Sequence, residues 1–250
     1  MSCLESAPTT IDTPRYRTHL GVPAQPAARD VLPVVSPEPI APASATEATD
    51  LATNLPGAAA RAQAEARRRE HPVRTTLGRV LRVHTDERAW RIGAKGEEKV
   101  AAKLAKLGQE WQTLHAIAVG TAGTDIDHLV IGPAGVFTIN TKHHPDARIW
   151  VAGDNFKVNG QWVPYVRISR HEAERVSRIL THHCGFSVHA RGVIAIVGAS
   201  GGLTIKEQPS DVRVMARKVI HRWLRQQPAV LAPDRVAAIY EVARRSSTWT

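Results

Sequence analysis

The 250-residue chain carries 33 basic side chains against 23 acidic ones, a formal net charge of +10, and 43% of its residues are hydrophobic. These values fit one domain with extra sequence or two small domains, with enough apolar material for a core. Neither a transmembrane helix nor a secretory signal is expected, because the apolar runs are too short. Two distant cysteines, Cys3 and Cys184, exclude a disulfide scaffold and favour a reducing, cytoplasmic location.

The first part of the chain is acidic and rich in proline. Residues 1–56 hold 9 of the 16 prolines, no tryptophan and a local charge of −3. Such a composition buries too little apolar surface to offset the entropy of ordering the chain. We therefore expect a disordered Pro/Ala-rich tail over residues 1–60, to which a protein partner can bind.

An arginine-rich segment follows over residues 61–92, with nine arginines against four acids. Its stretch AARAQAEARRRE favours a helix but lacks a sustained apolar stripe. Two interpretations of this helical linker stay open: a solvated basic helix, or an electrostatic arm that contacts nucleic acid. An anionic membrane surface is disfavoured as a partner, because the aromatic anchors of an interfacial helix are missing. The net charge is +5 in this segment and +8 in residues 93–250.

From residue 93 onward the sequence alternates helical and strand patterns. AKGEEKVAAKLAKL predicts an amphipathic helix with Val100, Leu104 and Leu107 on its apolar face. Next come strands at 126–131 and 136–142, a hairpin with an Asn159-Gly160 turn, a helix in SRHEAERVSRILTHH, strands at 192–198 and 211–215, and two C-terminal helices. This order predicts one α/β domain over residues 93–250, with a mixed central sheet flanked by helices.

Polar side chains converge at one end of the apolar hairpin DIDHLVIGPAGVFTINTK. A turn centred on residues 133–134 places Asp127 opposite Asn140. Lys142 shares a face with both, because side chains alternate along strands. A carboxylate, an amide and an ammonium group are therefore expected within about 8 Å of one another. Asp125 is interpreted as the end of the preceding loop, outside this group.

The predicted helix adds another acidic group. At 100° per residue, Glu97 lies on the same inward face as Val100, whereas Glu98 points to solvent. An inward carboxylate needs a partner, because burying an unpaired charge is costly. A divalent metal shared with Asp127 is one such partner, and an ordinary salt bridge is another.

The motifs GAKGEEKVAAKL and GTDIDHLVIGPAGVFTINTK, followed by a hairpin and a helix, resemble the nuclease-related domain (NERD) family over roughly residues 93–180. That family is similar to restriction-endonuclease-like PD-(D/E)XK nucleases, so the resemblance implies a core of this type with a metal-dependent phosphodiesterase site. The helix Glu of the pattern corresponds to Glu97, the strand Asp to Asp127 and the Lys to Lys142. The (D/E) position corresponds to Asn140, a neutral amide in place of a carboxylate.

The resemblance implies an endonuclease or exonuclease acting on DNA, in which Glu97, Asp127 and Asn140 hold Mg²⁺ or Mn²⁺. Lys142 would then support the attacking water. Hard cations prefer carboxylate oxygens, and losing one charge about 4 Å from the ion costs several kcal/mol at an effective dielectric of about 20. The alternatives are a nuclease-like module that binds nucleic acid or assists DNA processing without cutting, and an interaction role for the N-terminal segments.

Overall fold

The computed structural model describes residues 49–58, 61, 65, 86–120 and 124–250. All of them belong to one unit, residues 46–250. The predicted tail before residue 49 and most of the arginine-rich segment lie outside the described residues. Within the described residues, no helix combines the length and the apolar character that crossing a membrane requires.

Strands and helices alternate along the described part of the chain. The strands are β1 (Gln112–Val119), β2 (Thr124–Gly132), β3 (Gly135–His143), β4 (Ile149–Ala152), β5 (Asn155–Val158), β6 (Gln161–Trp162), β7 (Ala190–Val197), β8 (Leu203–Glu207) and β9 (Val212–Ala216). The α-helices are α1 (Asp86–Leu104), α2 (Tyr165–Cys184), α3 (Ile220–Arg225) and α4 (Pro233–Ala243). Short 3-10 helices lie at Leu51–Thr53, Arg217–Val219 and Ser246–Trp249.

A five-stranded mixed sheet, in the order β1-β2-β3-β7-β9, forms the centre of the domain. β1, β2 and β3 are antiparallel neighbours, whereas β3, β7 and β9 run parallel. The parallel step from β3 to β7 needs a long crossover connection, which includes α2. The predicted α/β core with a mixed sheet flanked by helices is confirmed.

Helices cover both faces of this sheet. Val136 and Phe137 are neighbours on β3 and point to opposite faces, so they mark the two sides. Val136 packs in a cluster with Leu180 of α2 and Ile239 of α4. Phe137 packs in another with Leu104 of α1, together with residues of α3. The sheet is therefore enclosed between α2 and α4 on one face and α1 and α3 on the other.

A second, four-stranded sheet has the order β6-β5-β4-β8. The predicted turn at Asn159-Gly160 joins β5 to β6, and both residues have the positive φ values, 49° and 83°, that a type I′ turn requires. Buried side chains of β4 and β5 pack with Val166 of α2 and with residues of β7 and β9. This sheet thus fixes the start of α2 beside the central sheet.

The sequence analysis does not predict β1 or β8. In β1 the buried residues Leu114 and Ile117 are three positions apart, and Ala116 between them has a φ of 48°. This interruption removes the simple alternation that identifies a strand. β8 is a short strand at the edge of its sheet with no fully buried side chain, so its sequence carries little apolar signal.

Residues 49–58 pack against the domain, although the sequence analysis assigns them to the tail. Leu51 is buried, and its backbone N–H donates to the carbonyl of Arg244 at 2.7 Å. The carboxylate of Asp50 pairs with the Arg244 guanidinium, and hydrogen bonding to it lowers the pKa of Asp50. The packed structure therefore begins before the predicted boundary at residue 60.

Candidate functional site

The predicted site lies where β2 begins and β3 ends. The β2–β3 ladder has the predicted register and extends to the pair His128 and Ile139, and one further step on the same count places Asp127 opposite Asn140. Oδ2 of Asp127 accepts a hydrogen bond from the backbone N–H of Thr141 at 2.6 Å. This bond directs the carboxylate toward β3.

Lys142 lies close enough to Asp127 for their charges to interact. Burial raises the pKa of Asp127, while the attraction to Lys142 and the bond from Thr141 oppose that rise. Nζ of Lys142 is also 4.8 Å from the ring centroid of Tyr165, at the start of α2. Tyr165 in turn bonds through its hydroxyl to Nε2 of His144 at 3.0 Å. The ammonium group therefore lies over an anchored aromatic ring and is attracted by the charge of Asp127.

Glu97 approaches Asp127 from α1, which covers the face of the sheet opposite α2. Its Oε2 accepts a hydrogen bond from the backbone N–H of Gly57 at 3.1 Å. Burial raises the pKa of Glu97 to about 8, and repulsion from Asp127 adds to the rise. Glu98, the next residue, is exposed and forms an ion pair with Arg61. The structure thus places Glu97 inward and Glu98 outward, as the helical pattern indicates.

Gly96 allows α1 to approach β3 closely. A Cβ added at Gly96 would lie 2.7 Å from Cβ of His143, whereas one added at Gly93 meets nothing within 4 Å. We expect Gly96→Ala to lower the free energy of unfolding by about 1–3 kcal/mol, because helix and strand must move apart. Gly93→Ala, the matched control in the same helix, is expected to raise it by about 0.5–1 kcal/mol. Urea denaturation measures both changes, and equal stability of the two variants would contradict the close approach.

The structure adds a carboxylate that the sequence analysis misses. Oε2 of Glu172, on α2, accepts a hydrogen bond from Nδ2 of Asn140 at 3.0 Å. Burial raises the pKa of Glu172 to about 7, and repulsion from Asp127 adds to the rise. The sequence does carry a signal, because Glu172 falls at helical spacing between Ser169 and Val176, which are both buried. A carboxylate on this apolar stripe needs a partner in the interior.

Asn140 and Glu172 line a cavity of about 350 Å³ between the central sheet and α2. Asp125 lines the same cavity, and burial raises its pKa. The prediction that Asp125 lies outside the group is wrong, because it shares a strand face with Asp127 two residues further on. The other three predicted site residues do not line this cavity: Glu97, Asp127 and Lys142.

The donor atoms here are oxygens, which suit a hard divalent cation. Oδ1 of Asn140 and Oε1 of Glu172 are buried without a hydrogen-bond partner among the described residues. Within that same part of the chain, no group of three or more His, Cys, Asp and Glu side chains forms a cation site alone. Mg²⁺ usually takes one or two carboxylates and completes its shell with water and phosphate oxygens. The residues present fit such a partial ligand set.

Together, the fold and this group of residues define an α/β domain with an acidic, lysine-containing site at the ends of two central strands. Residues 92–197, somewhat less than half of the chain, match the family described as the nuclease-related domain (NERD). The resemblance seen in the motifs is thereby confirmed, and it indicates a nuclease-related function with nucleic acid as partner. No curated protein and no solved structure matches the chain.

Proposed function

We propose that this domain is a divalent-metal-dependent nuclease that hydrolyses DNA phosphodiester bonds at the site formed by Glu97, Asp127, Asn140 and Lys142. One observation carries the proposal: Asp127 of β2 accepts a hydrogen bond from the backbone N–H of Thr141, which lies between Asn140 and Lys142 on β3. Glu97 is near enough for the charge of Asp127 to raise its pKa, which supports including it with Asp127, Asn140 and Lys142 in the proposed site. The match of this range to the nuclease-related domain supports the choice of reaction.

Each residue has a distinct role in this hydrolysis. Asp127 and Glu97 would hold the cation through carboxylate oxygens, and Asn140 would add a neutral amide oxygen. When bound, Mg²⁺ or Mn²⁺ lowers the pKa of a water molecule and polarises the scissile phosphate. Lys142, positioned by the ring of Tyr165, orients the attacking water and stabilises the negative charge that builds on the phosphate.

The distribution of charge favours a polyanionic substrate. Residues 93–250 carry a net charge of +8, and the arginine-rich segment before them adds +5. The surface as a whole attracts nucleic acid, because neutralising phosphates releases condensed counterions. The site itself is locally acidic, which suits a phosphate group held through a cation. DNA is the substrate that we propose to test first.

A cleavage assay tests this function directly. Plasmid and linear DNA are incubated with the full chain and Mn²⁺, beside the same reactions in EDTA. We expect Lys142→Ala to reduce the cleavage rate by about 100-fold or more, because charge on the transition state loses its stabilisation. Lys206→Ala is the matched control, because Lys206 is exposed on β8, and it should cleave like the wild type. Cleavage that persists in Lys142→Ala would overturn the assignment.

Asn140 favours one second candidate, a nuclease-like module that binds nucleic acid without cutting it. The amide replaces a carboxylate at the position where a cation gains most from a negative charge. This candidate predicts no cleavage by the wild type, together with DNA affinity that falls steeply between ~50 and ~200 mM salt. Cleavage by an Asn140→Glu variant of an inactive wild type would support it further. Flat or absent DNA binding across that range would instead favour an interaction role for the N-terminal segments.

A further inference from the structure

We propose that Glu172 of α2 supplies the acidic oxygen that strand position 140 lacks, so that the cation site spans the β2–β3 hairpin and α2. The inference rests on the proposed function for the role of the cation. It concerns a residue that lies outside the sequence motifs, on an element that follows them in the chain. Asn140 acts in this arrangement as a positioning residue as well as an oxygen donor.

The first argument is geometric. Asn140 is only 7% exposed, and its Nδ2 donates to Oε2 of Glu172 at 3.0 Å. The amide therefore holds the carboxylate of Glu172 directly above the strand position where the family pattern has an acidic side chain. An Asp or Glu at position 140 would repel Glu172 at this distance, whereas an Asn attracts it. The neutral residue on the strand and the acidic residue on the helix are thus compatible with each other.

The second argument comes from two oxygens left without partners. Oδ1 of Asn140 and Oε1 of Glu172 are both buried, and neither has a hydrogen-bond partner among the described residues. Each such oxygen costs about 1–3 kcal/mol unless something satisfies it. Both residues line the same cavity of about 350 Å³. A cation with its bound water in that cavity would satisfy the two oxygens together. Asp127 does not line the cavity and would act on that cation through its charge.

The third argument is the charge around Glu172. Burial and, after it, repulsion from Asp127 raise the pKa of Glu172, while hydrogen bonding and attraction to Lys142 oppose the rise. A divalent cation between the strand and the helix would attract the carboxylates of both Asp127 and Glu172 and so offset their mutual repulsion. A purely structural role would require only the hydrogen bond to Asn140 and the interaction with the buried hydroxyl of Thr138, and a Gln at position 172 would preserve both through its amide oxygen. Glu172→Gln therefore removes the negative charge that a cation site needs but leaves the structural hydrogen bonding in place.

The test measures Mn²⁺ binding by the full, metal-free chain. Isothermal titration calorimetry gives the affinity, and the loss of the electron paramagnetic resonance signal of free Mn²⁺ checks it. We expect Glu172→Gln to weaken Mn²⁺ affinity by at least about tenfold. Glu174→Gln is the matched control, because Glu174 is exposed on the same helix beside His171. Its affinity should equal that of the wild type. Equal affinities of Glu172→Gln and the wild type would overturn the inference, as would absence of Mn²⁺ binding by the wild type.

A second variant separates a lost ligand from a damaged fold. Adding Asn140→Asp to Glu172→Gln returns a carboxylate to the strand, and we expect it to restore most of the lost Mn²⁺ affinity. Failure to restore it in a variant that melts like the wild type would count against a shared cation. Mn²⁺ binding that depends on Glu172 without any DNA cleavage would support the inference and refute the proposed function. DNA cleavage by the wild type, together with unchanged Mn²⁺ affinity in Glu172→Gln, would support the proposed function and refute the inference.

Discussion

Asp127→Asn is expected to reduce DNA cleavage by about 100-fold or more while raising the stability of the metal-free protein. The variant keeps the oxygen that accepts the Thr141 N–H, so the end of the hairpin retains its geometry. It loses the charge that holds the cation and that attracts Lys142. Because burial raises the pKa of Asp127, the ionised carboxylate is unfavourable in the folded state, and its removal stabilises the fold.

The cleavage rate in Mn²⁺ and the melting temperature in EDTA measure the two effects on one sample. Asp146→Asn is the matched control, because Asp146 is exposed and accepts a hydrogen bond from Ser200 that an Asn oxygen also accepts. Its φ of 59° is one that Asn adopts readily. This control should change neither quantity. Wild-type cleavage by Asp127→Asn would refute the proposed role of Asp127, and a lower melting temperature would refute its unfavourable burial.

Much of the site follows from local rules that the sequence expresses directly. The tight turn at residues 133–134 fixes the register of the β2–β3 hairpin, and alternation then puts Asp127, Asn140 and Lys142 on one face. Helical periodicity likewise turns Glu97 inward. Each of these inferences spans fewer than about twenty residues of chain. Within that range, backbone geometry alone determines which side chains can meet.

The rest of the site depends on contacts between distant segments. Glu172 meets Asn140 only because the crossover through α2 returns the chain to the face of β3. Gly57 donates to Glu97 because residues 49–58 pack against the domain, although their composition favours disorder. The sequence of α2 shows that a carboxylate interrupts an apolar stripe, but not which strand lies beneath it. Tertiary packing supplies that information.

The metal-free protein is expected to lose stability as the pH rises from about 7 to about 8.5. Burial raises the pKa of Glu97 to about 8 and that of Glu172 to about 7, from an ordinary value of 4.5. The folded state therefore retains protons that the unfolded state has already released. The stability that these protons contribute is complete below about pH 4.5 and is lost as the pH rises through 7 and 8.

Between about pH 7 and 8.5, the change in stability comes from these two carboxyl groups rather than from the buried histidines. Burial lowers the pKa of His115 and His128 below 6.5, so both are neutral in the folded and unfolded states above about pH 7. Each kcal/mol corresponds to about 2–4 °C of melting temperature in a protein of this size. A fall of several degrees is therefore expected across the window in EDTA.

Paired variants identify the groups responsible for this fall. The double variant Glu97→Gln with Glu172→Gln should melt at nearly the same temperature across the window, because neither amide titrates. The control pair Glu98→Gln with Glu174→Gln removes exposed carboxylates from the same two helices and should fall like the wild type. Mn²⁺ added at about pH 8.5 should raise the melting temperature of the wild type but not that of the Glu97→Gln and Glu172→Gln double variant. If the melting temperature of the wild type stays constant or rises across the window, burial does not raise the pKa of Glu97 and Glu172. The electrostatic argument for a bound cation would then fail.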